Sequence, residues 1–276
     1  MRRILIAVSI LAACALPAAA QAPAAQPDWR APDPENTLVI DTSKGRVIVE
    51  LQPLAANAHI ERIKILTRRK FYDGLTFFRV IDEFMAQTGD PLNTGEGGSD
   101  LPDLAAQFTF KRNSATPFTM VSRNGSAVYG FVGSLPVITQ PDEMMYLLAR
   151  PEVNAYGAFC PGVAGMARSD DPHSANSQFF LMRQMTDDLN AKYTAFGRVI
   201  SGLDVVRAIK AGEPPQAPVD KMTQVRVLAD ILQAERPYIQ TQNTAGPAFK
   251  AYVEKEKASK GASFSICDLE IRTDVR

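Results

Sequence analysis

The chain has 276 residues, 46% of them hydrophobic, enough to bury a good core in one or two domains. Thirty Lys and Arg balance thirty Asp and Glu; without Arg2 and Arg3 the count is 28 against 30, net −2, which argues against a general nucleic-acid or anionic-membrane binder. His59 and His173 stand more than a hundred residues apart, so no metal-ligand spacing is present.

Residues 1–20 open with Arg2-Arg3, run apolar from Ile4 to Leu16 and end in Ala18-Ala19-Ala20, which reads as a secretory signal peptide and implies a periplasmic or secreted protein. Leu11-Ala12-Ala13-Cys14 also resembles a lipoprotein box that would attach a lipid anchor at Cys14. Cleavage after Ala20 is preferred, because the ALPAAA that would follow Cys14 has the character of a signal end rather than a tether. No later stretch reaches about 18 apolar residues, so no membrane span is expected.

Residues 21–36 are rich in Ala and Pro and aperiodic, and read as a flexible leader. Two strands follow, 37–41 and 46–51, with Val47, Val49 and Leu51 on one face and a turn between them. Ala56, Ile60, Ile63 and Leu66 recur at helical spacing over 55–69, with His59 as a surface or capping residue. Residues 75–81 and 84–87 are further strands, broken at Asp82-Glu83. Arg79 lies inside the first, where a guanidinium is costly unless it faces a partner or an open groove. Met85 and Gln87, two apart, share a face. Asn93 to Gly98 is glycine-rich, but it lacks the flanking strand, helix and lysine of a phosphate cradle and reads as a tight turn.

Asn124-Gly125 before residues 127–132 signals a hairpin, and 142–150 a short helix ended by Pro151. Met144, Met145 and Tyr146 on that helix either pack on the main domain or line an extended groove. Residues 222–231 read as a closing strand, 248–260 as a helix begun by Pro247 and ended by Gly261, and 264–271 as a strand. With Cys14 removed, Cys160 and Cys267 either form one disulfide, as an oxidising compartment allows, or stay as buried thiols, since sequence does not give their Cα separation.

The stretch FYDGLTFFRVIDEFMAQTGDP, residues 71–91, resembles the first active-site block of the cyclophilins, F-x-R-x-I-x-x-F-M-x-Q-x-G-D, through Phe77, Arg79, Ile81, Phe84, Met85, Gln87, Gly89 and Asp90. NSQFFLMRQMTDDLNAKYTAFGRVISGLDVV, residues 176–206, resembles the family's S-Q-F-F and F-G-x-V segment, and GVAGMAR at 162–168 its peptide-flanking strand. The resemblance implies a mainly β fold: a closed antiparallel eight-stranded barrel capped by helices over residues 37–231. An insertion falls at about 113–162, and a C-terminal extension, 232–276, packs on the domain.

It further implies peptidyl-prolyl cis-trans isomerisation in exported proteins, assisting their folding, with no cofactor and no metal. Proline-containing polypeptides would be the clients of a monomeric enzyme. Arg79 and Gln87 would be catalytic; Phe84, Met85, Phe180 and Leu189 would wall a proline pocket closed by Tyr193, and Met166, Ala167 and Gln178 would contact substrate. Phe78, Arg168, Asp188 and Tyr193 depart from the residues usual in the family, and Asp188 implies weak cyclosporin binding. The alternative in another class is a non-catalytic peptide-binding chaperone or envelope assembly factor on the same barrel, against which intact Arg79 and Gln87 argue.

Overall fold

The computed structural model of the protein describes residues 27–147 and 149–276, so residues 1–20, read above as a signal peptide, and Cys14 lie outside the described residues. Trp29–Arg30 is a two-residue strand, β1. Thr37–Thr42 (β2) and Gly45–Leu51 (β3) make the expected hairpin, Thr42 pairing with Gly45 across the turn. Val47, Val49 and Leu51 point into the main core, while Ile48 joins a second cluster with Val39 and Ile239 on the other face. The helix α1, Pro53–Arg68, starts with its proline in the first turn, where the missing N–H costs nothing, and buries Ala56, Ile60, Ile63 and Leu66. His59 on α1 is a core residue rather than a surface one: fully buried, with Nδ1 3.0 Å from Gln107 Oε1.

Beyond α1 come Arg79–Val80 (β4) and Met85–Thr88 (β5), then Phe110–Arg112 (β6), Phe118–Asn124 (β7), Ala127–Val132 (β8) and Leu135–Thr139 (β9). A one-turn helix α2, Glu143–Leu147, precedes Val153–Gly157 (β10), Val163–Met166 (β11), Phe179–Met182 (β12) and Ala195–Ser201 (β13). Leu203–Ala208 (α3), Met222–Val227 (β14), Ile239–Gln242 (β15), Pro247–Lys260 (α4) and Thr273–Val275 (β16) complete the order.

Eight strands form one antiparallel sheet in the order β14-β2-β3-β13-β11-β12-β5-β4, curled around the core beneath α1. It is an open curled sheet, a half-barrel, and the expected closed barrel is corrected here. The two edges meet through separate backbone bonds, Gly74 N to Met222 O at 2.7 Å, Met222 N to Leu75 O at 2.8 Å and Phe77 N to Asp220 O at 2.9 Å, and through isolated bridges rather than a continuous ladder. The cause lies in the edge sequences: β4 is two residues long, and the 212–218 segment beside it carries Pro214, Pro215 and Pro218, which have no N–H for a ladder.

The stretch expected as an insertion folds as a second sheet, β6-β10-β9-β8-β7, with the Asn124-Gly125 turn joining β7 to β8. Tyr146 and Leu147 of α2 are exposed. A third sheet, β1-β15-β16, joins the two ends of the described chain, and this corrects the flexible leader over residues 27–36. Arg30 reaches Glu50 of β3 with two bonds of 2.5 and 2.8 Å, and the Asp28 carboxylate accepts from Ala248 N at the start of α4. The strand expected at 264–271 is instead irregular chain around one 3-10 turn, Ile266–Asp268. Ser265 Oγ accepts from Cys267 N while Asp268 accepts from Ser265 N, a capping box that closes the backbone on itself. Of the two states open to the cysteines, the disulfide is the one present: Cys160 and Cys267 are bonded with Cα atoms 4.9 Å apart.

Candidate active site

Strand register builds the site. Arg79 of β4 is paired with Gln87 of β5, and Gln87 with Phe180 of β12, so three side chains stand in a row on one face of the sheet. Gly165 of β11 continues that row; a Cβ there would lie 2.5 Å from the Phe180 ring and 2.7 Å from that of Phe159, so the glycine makes room for both rings. The two rings stack at 5.9 Å, tilted by 30°.

Polar contacts run along the row and beyond it. Arg79 Nη1 donates to Gln87 Oε1 at 3.4 Å, and Gln87 Nε2 to Gln178 Oε1 at 2.9 Å. Gln178 Nε2 donates to the carbonyls of Gly95 and Gly97, both at 2.8 Å. Those glycines belong to the loop read as a tight turn. It is wrapped around the buried Asp90 carboxylate, which accepts from the amides of Leu92, Thr94 and Gly95 at 2.7, 2.9 and 2.6 Å. A Cβ on Gly97 would fall 1.8 Å from Asp90 Oδ1, so the wrap requires glycine there. Burial alone would push the Asp90 carboxyl up; the surrounding backbone amides outweigh it and hold the group below the ordinary carboxylate range. The loop is thus an anion cradle already filled by the chain's own carboxylate.

Met85, Phe180 and Leu189 are buried in one apolar cluster, against which Phe84, Ala167 and Tyr193 pack half-buried. The Phe180 and Tyr193 rings meet edge to face at 6.1 Å, and Arg168 lies over Tyr193 at 4.4 Å. Ala167 N donates to Gln178 O at 3.0 Å. Met166 is not brought to this groove. It is buried in the other core, beneath α1, because its neighbours Gly165 and Ala167 face the groove and strand alternation turns Met166 away. A cleft of about 510 Å³ opens beside Gln87 and Gln178, bordered by Gly95, Asp103, Ala167 and Ser174.

Two contributors went unread in the sequence. Asn176 braces the cleft wall through Ser99 N at 2.8 Å and Asp103 at 2.8 Å. Glu213 accepts from Arg79 Nε at 2.7 Å. Glu213 lies 134 positions from Arg79 and leaves no local pattern. Among the described residues, no group of three or more His, Cys, Asp or Glu is placed to hold a metal ion.

Residues 37–229 match the family model described as cyclophilin type peptidyl-prolyl cis-trans isomerase/CLD. A probable peptidyl-prolyl cis-trans isomerase of Brucella suis is 36% identical over 193 residues, covering 66% of this chain and 75% of its own length. A peptidyl-prolyl cis-trans isomerase-like 1 protein of Aspergillus fumigatus is 30% identical over 191 residues, covering 68% and 92%. The crystal structure of the cyclophilin AquaCyp293 from Hirschia baltica superposes with a TM-score of 0.82 at 32% identity, over 90% of this chain and 93% of that one. That last span takes in the added segments as well as the eight-stranded sheet. Family model, relatives and fold agree with the residue row, and the chain belongs to the cyclophilin-type peptidyl-prolyl cis-trans isomerases.

Proposed function

We propose that this isomerase turns X-Pro bonds in exported polypeptides, with Arg79 as the catalytic electrophile and Gln87 and Gln178 aligning the chain around it. Amide resonance sets a rotation barrier of about 18–20 kcal/mol. At the twisted midpoint the prolyl nitrogen regains a lone pair, and a fixed cation that donates to it stabilises that state more than the planar one. The observation that carries the assignment is the register-locked row Arg79, Gln87 and Phe180, which sets a guanidinium beside an aromatic floor. The proline ring sits on Phe180 between Phe84, Met85 and Leu189, with Tyr193 closing one side, while Ala167 and Gln178 hold the flanking backbone. Met166 contributes through the inner core that supports β11. Asp188 is exposed and offers no aromatic surface, in keeping with weak cyclosporin binding.

The test is exchange NMR on a short Ala-Pro peptide with wild type and Arg79→Ala, both checked for folding. Loss of one charged donor to the transition state lowers kcat/KM by about 10²–10³. An Arg79→Ala enzyme within about threefold of wild type would remove the arginine from catalysis. Export rests on the basic, apolar and small-residue pattern of residues 1–20 together with a disulfide, which persists in oxidising compartments. Expression with the native leader in a Gram-negative host should yield periplasmic protein beginning at Gln21. A cytoplasmic product starting at Met1 would contradict export, and a lipidated one starting at Cys14 would replace it with anchoring.

A further inference from the structure

We propose that Glu213 is a positioning residue for the isomerase reaction, a carboxylate latch that sets the orientation of the Arg79 guanidinium. The inference rests on the reading that Arg79 stabilises the twisted prolyl amide. Val80 N donates to Gly212 O and Gly212 N to Val80 O, both at 2.8 Å, which lays the 212–213 backbone antiparallel against β4. In that register Glu213 stands directly across from Arg79, the position from which a cross-strand charge pair forms. The result is the 2.7 Å bond from Arg79 Nε to Glu213 Oε2.

The latch arm is itself held. Gly212 has φ 152°, and a Cβ there would lie 2.4 Å from Pro215 Cα, so glycine is needed for the chain to fold back beside β4. Pro214 and Pro215 follow at once and restrict the backbone behind the carboxylate. Lys210 staples the loop twice, its N–H donating to Asp220 Oδ2 and its Nζ to Gln216 O, each at 2.9 Å.

Of the two contacts on the guanidinium, the one to Gln87 is long, 3.4 Å, and reaches an uncharged amide, whereas that to Glu213 is short and pairs the cation with a carboxylate. The shorter contact therefore sets the orientation. Nε and one N–H of Nη1 face protein acceptors, and Nη2 makes no hydrogen bond among the described residues, which leaves N–H groups of the fork to donate toward a prolyl nitrogen. Both side chains are substantially exposed, 39% and 51%, so as a stabilising ion pair the contact contributes little and its removal leaves the fold standing. Its value lies in alignment, where small displacements of a catalytic group cost rate.

The experiment compares wild type, Glu213→Ala, Glu213→Gln and Arg79→Ala by line-shape exchange on one X-Pro peptide, alongside amide spectra and the Arg79 Nε–H resonance. Glu213→Ala is expected to lower kcat about tenfold with KM within about twofold, and Glu213→Gln, which keeps an acceptor without the charge, to recover part of the loss. The Arg79 Nε–H signal, expected to exchange slowly in wild type because it is held by the carboxylate, should broaden in Glu213→Ala while the amide spectrum stays in place. A kcat within about twofold of wild type in Glu213→Ala, a loss carried by KM alone, or an unchanged Nε–H signal would each overturn the latch. With Arg79→Ala inactive, such a result overturns the latch and spares the arginine. With Arg79→Ala active, both fall together.

Discussion

Asp90 shows how one carboxylate organises a neighbourhood. Its oxygens gather the amides of Leu92, Thr94 and Gly95, and that turn presents the two carbonyls that hold Gln178. Asp90→Asn loses acceptors from a buried site and is expected to cost about 1–3 kcal/mol, with a fall in kcat/KM as Gln178 loosens. The folded carboxyl lies below its unfolded value of about 3.9, so its stabilisation is complete above that pH and is lost as pH falls through the folded value. Urea midpoints of wild type and Asp90→Asn should therefore differ at neutral pH and converge below about pH 4. A gap that persists into acid would mean that the carboxylate charge is not what holds the loop. Part of this site was legible in the sequence: Arg79, Gln87, Phe180 and Asp90 sit at motif spacing. Met166 was readable too, since period two sets it opposite Gly165 and Ala167, yet the motif match drew it into the groove. Glu213 was beyond reach, because its partnership depends on register between segments far apart in the chain.

Among elements, those whose signals are local match their sequence reading. The β2–β3 hairpin and α1, the latter beyond a kink at Ala56, carry periods of two and of 3.6, and each has a core to face. The 264–271 segment has strand-like apolar residues, but its alternation slips at Cys267-Asp268; Ser265 and Asp268 offer the backbone nearer partners than a strand would, and Cys267 is tied to Cys160. β4 stops at two residues because its neighbour at the sheet edge is proline-rich. The link between β10 and β11 is the element on which the aromatic floor depends: Phe159 stacks on Phe180, and its N–H donates to Asn190 Oδ1 at 2.9 Å, next to Leu189. Phe159→Ala should cost about 3–5 kcal/mol of stability, as buried aromatic truncations do. In a peptide isomerisation assay it should raise KM more than it lowers kcat. Unchanged KM in the folded variant would separate this link from the proline pocket.

Across the whole molecule, three stretches remote in sequence close over one side of the eight-stranded sheet. Phe131 of β8 meets Phe249 of α4 edge to face at 5.4 Å, and β1 pairs with β15. Arg198 of β13 donates to Ser134 O and Leu269 O at 3.4 and 3.0 Å, tying both added parts to the main sheet, and complete burial pushes its guanidinium down to about 10. The disulfide makes one more of these ties covalent, between residues 107 apart in the chain. Cross-linking a loop of about 100 residues is worth about 4.7 kcal/mol on the chain-entropy model, so Cys160→Ser with Cys267→Ser should lower the unfolding free energy, measured by urea titration, by a comparable amount. Turnover at 25 °C should persist, because the row Arg79, Gln87 and Phe180 is held by main-sheet register. Loss of activity in the folded double variant would tie the row to the added parts.

The same disulfide also sets a clock. Cys160 is made 107 residues ahead of Cys267, an interval of about 5–20 s at ordinary rates of synthesis. Through that interval the thiol waits unpaired, and the apolar face that Phe131 contributes has no α4 to cover it. The added parts must therefore stay unassembled until nearly all of the described chain exists, long after the strands bearing Arg79 and Gln87 have emerged.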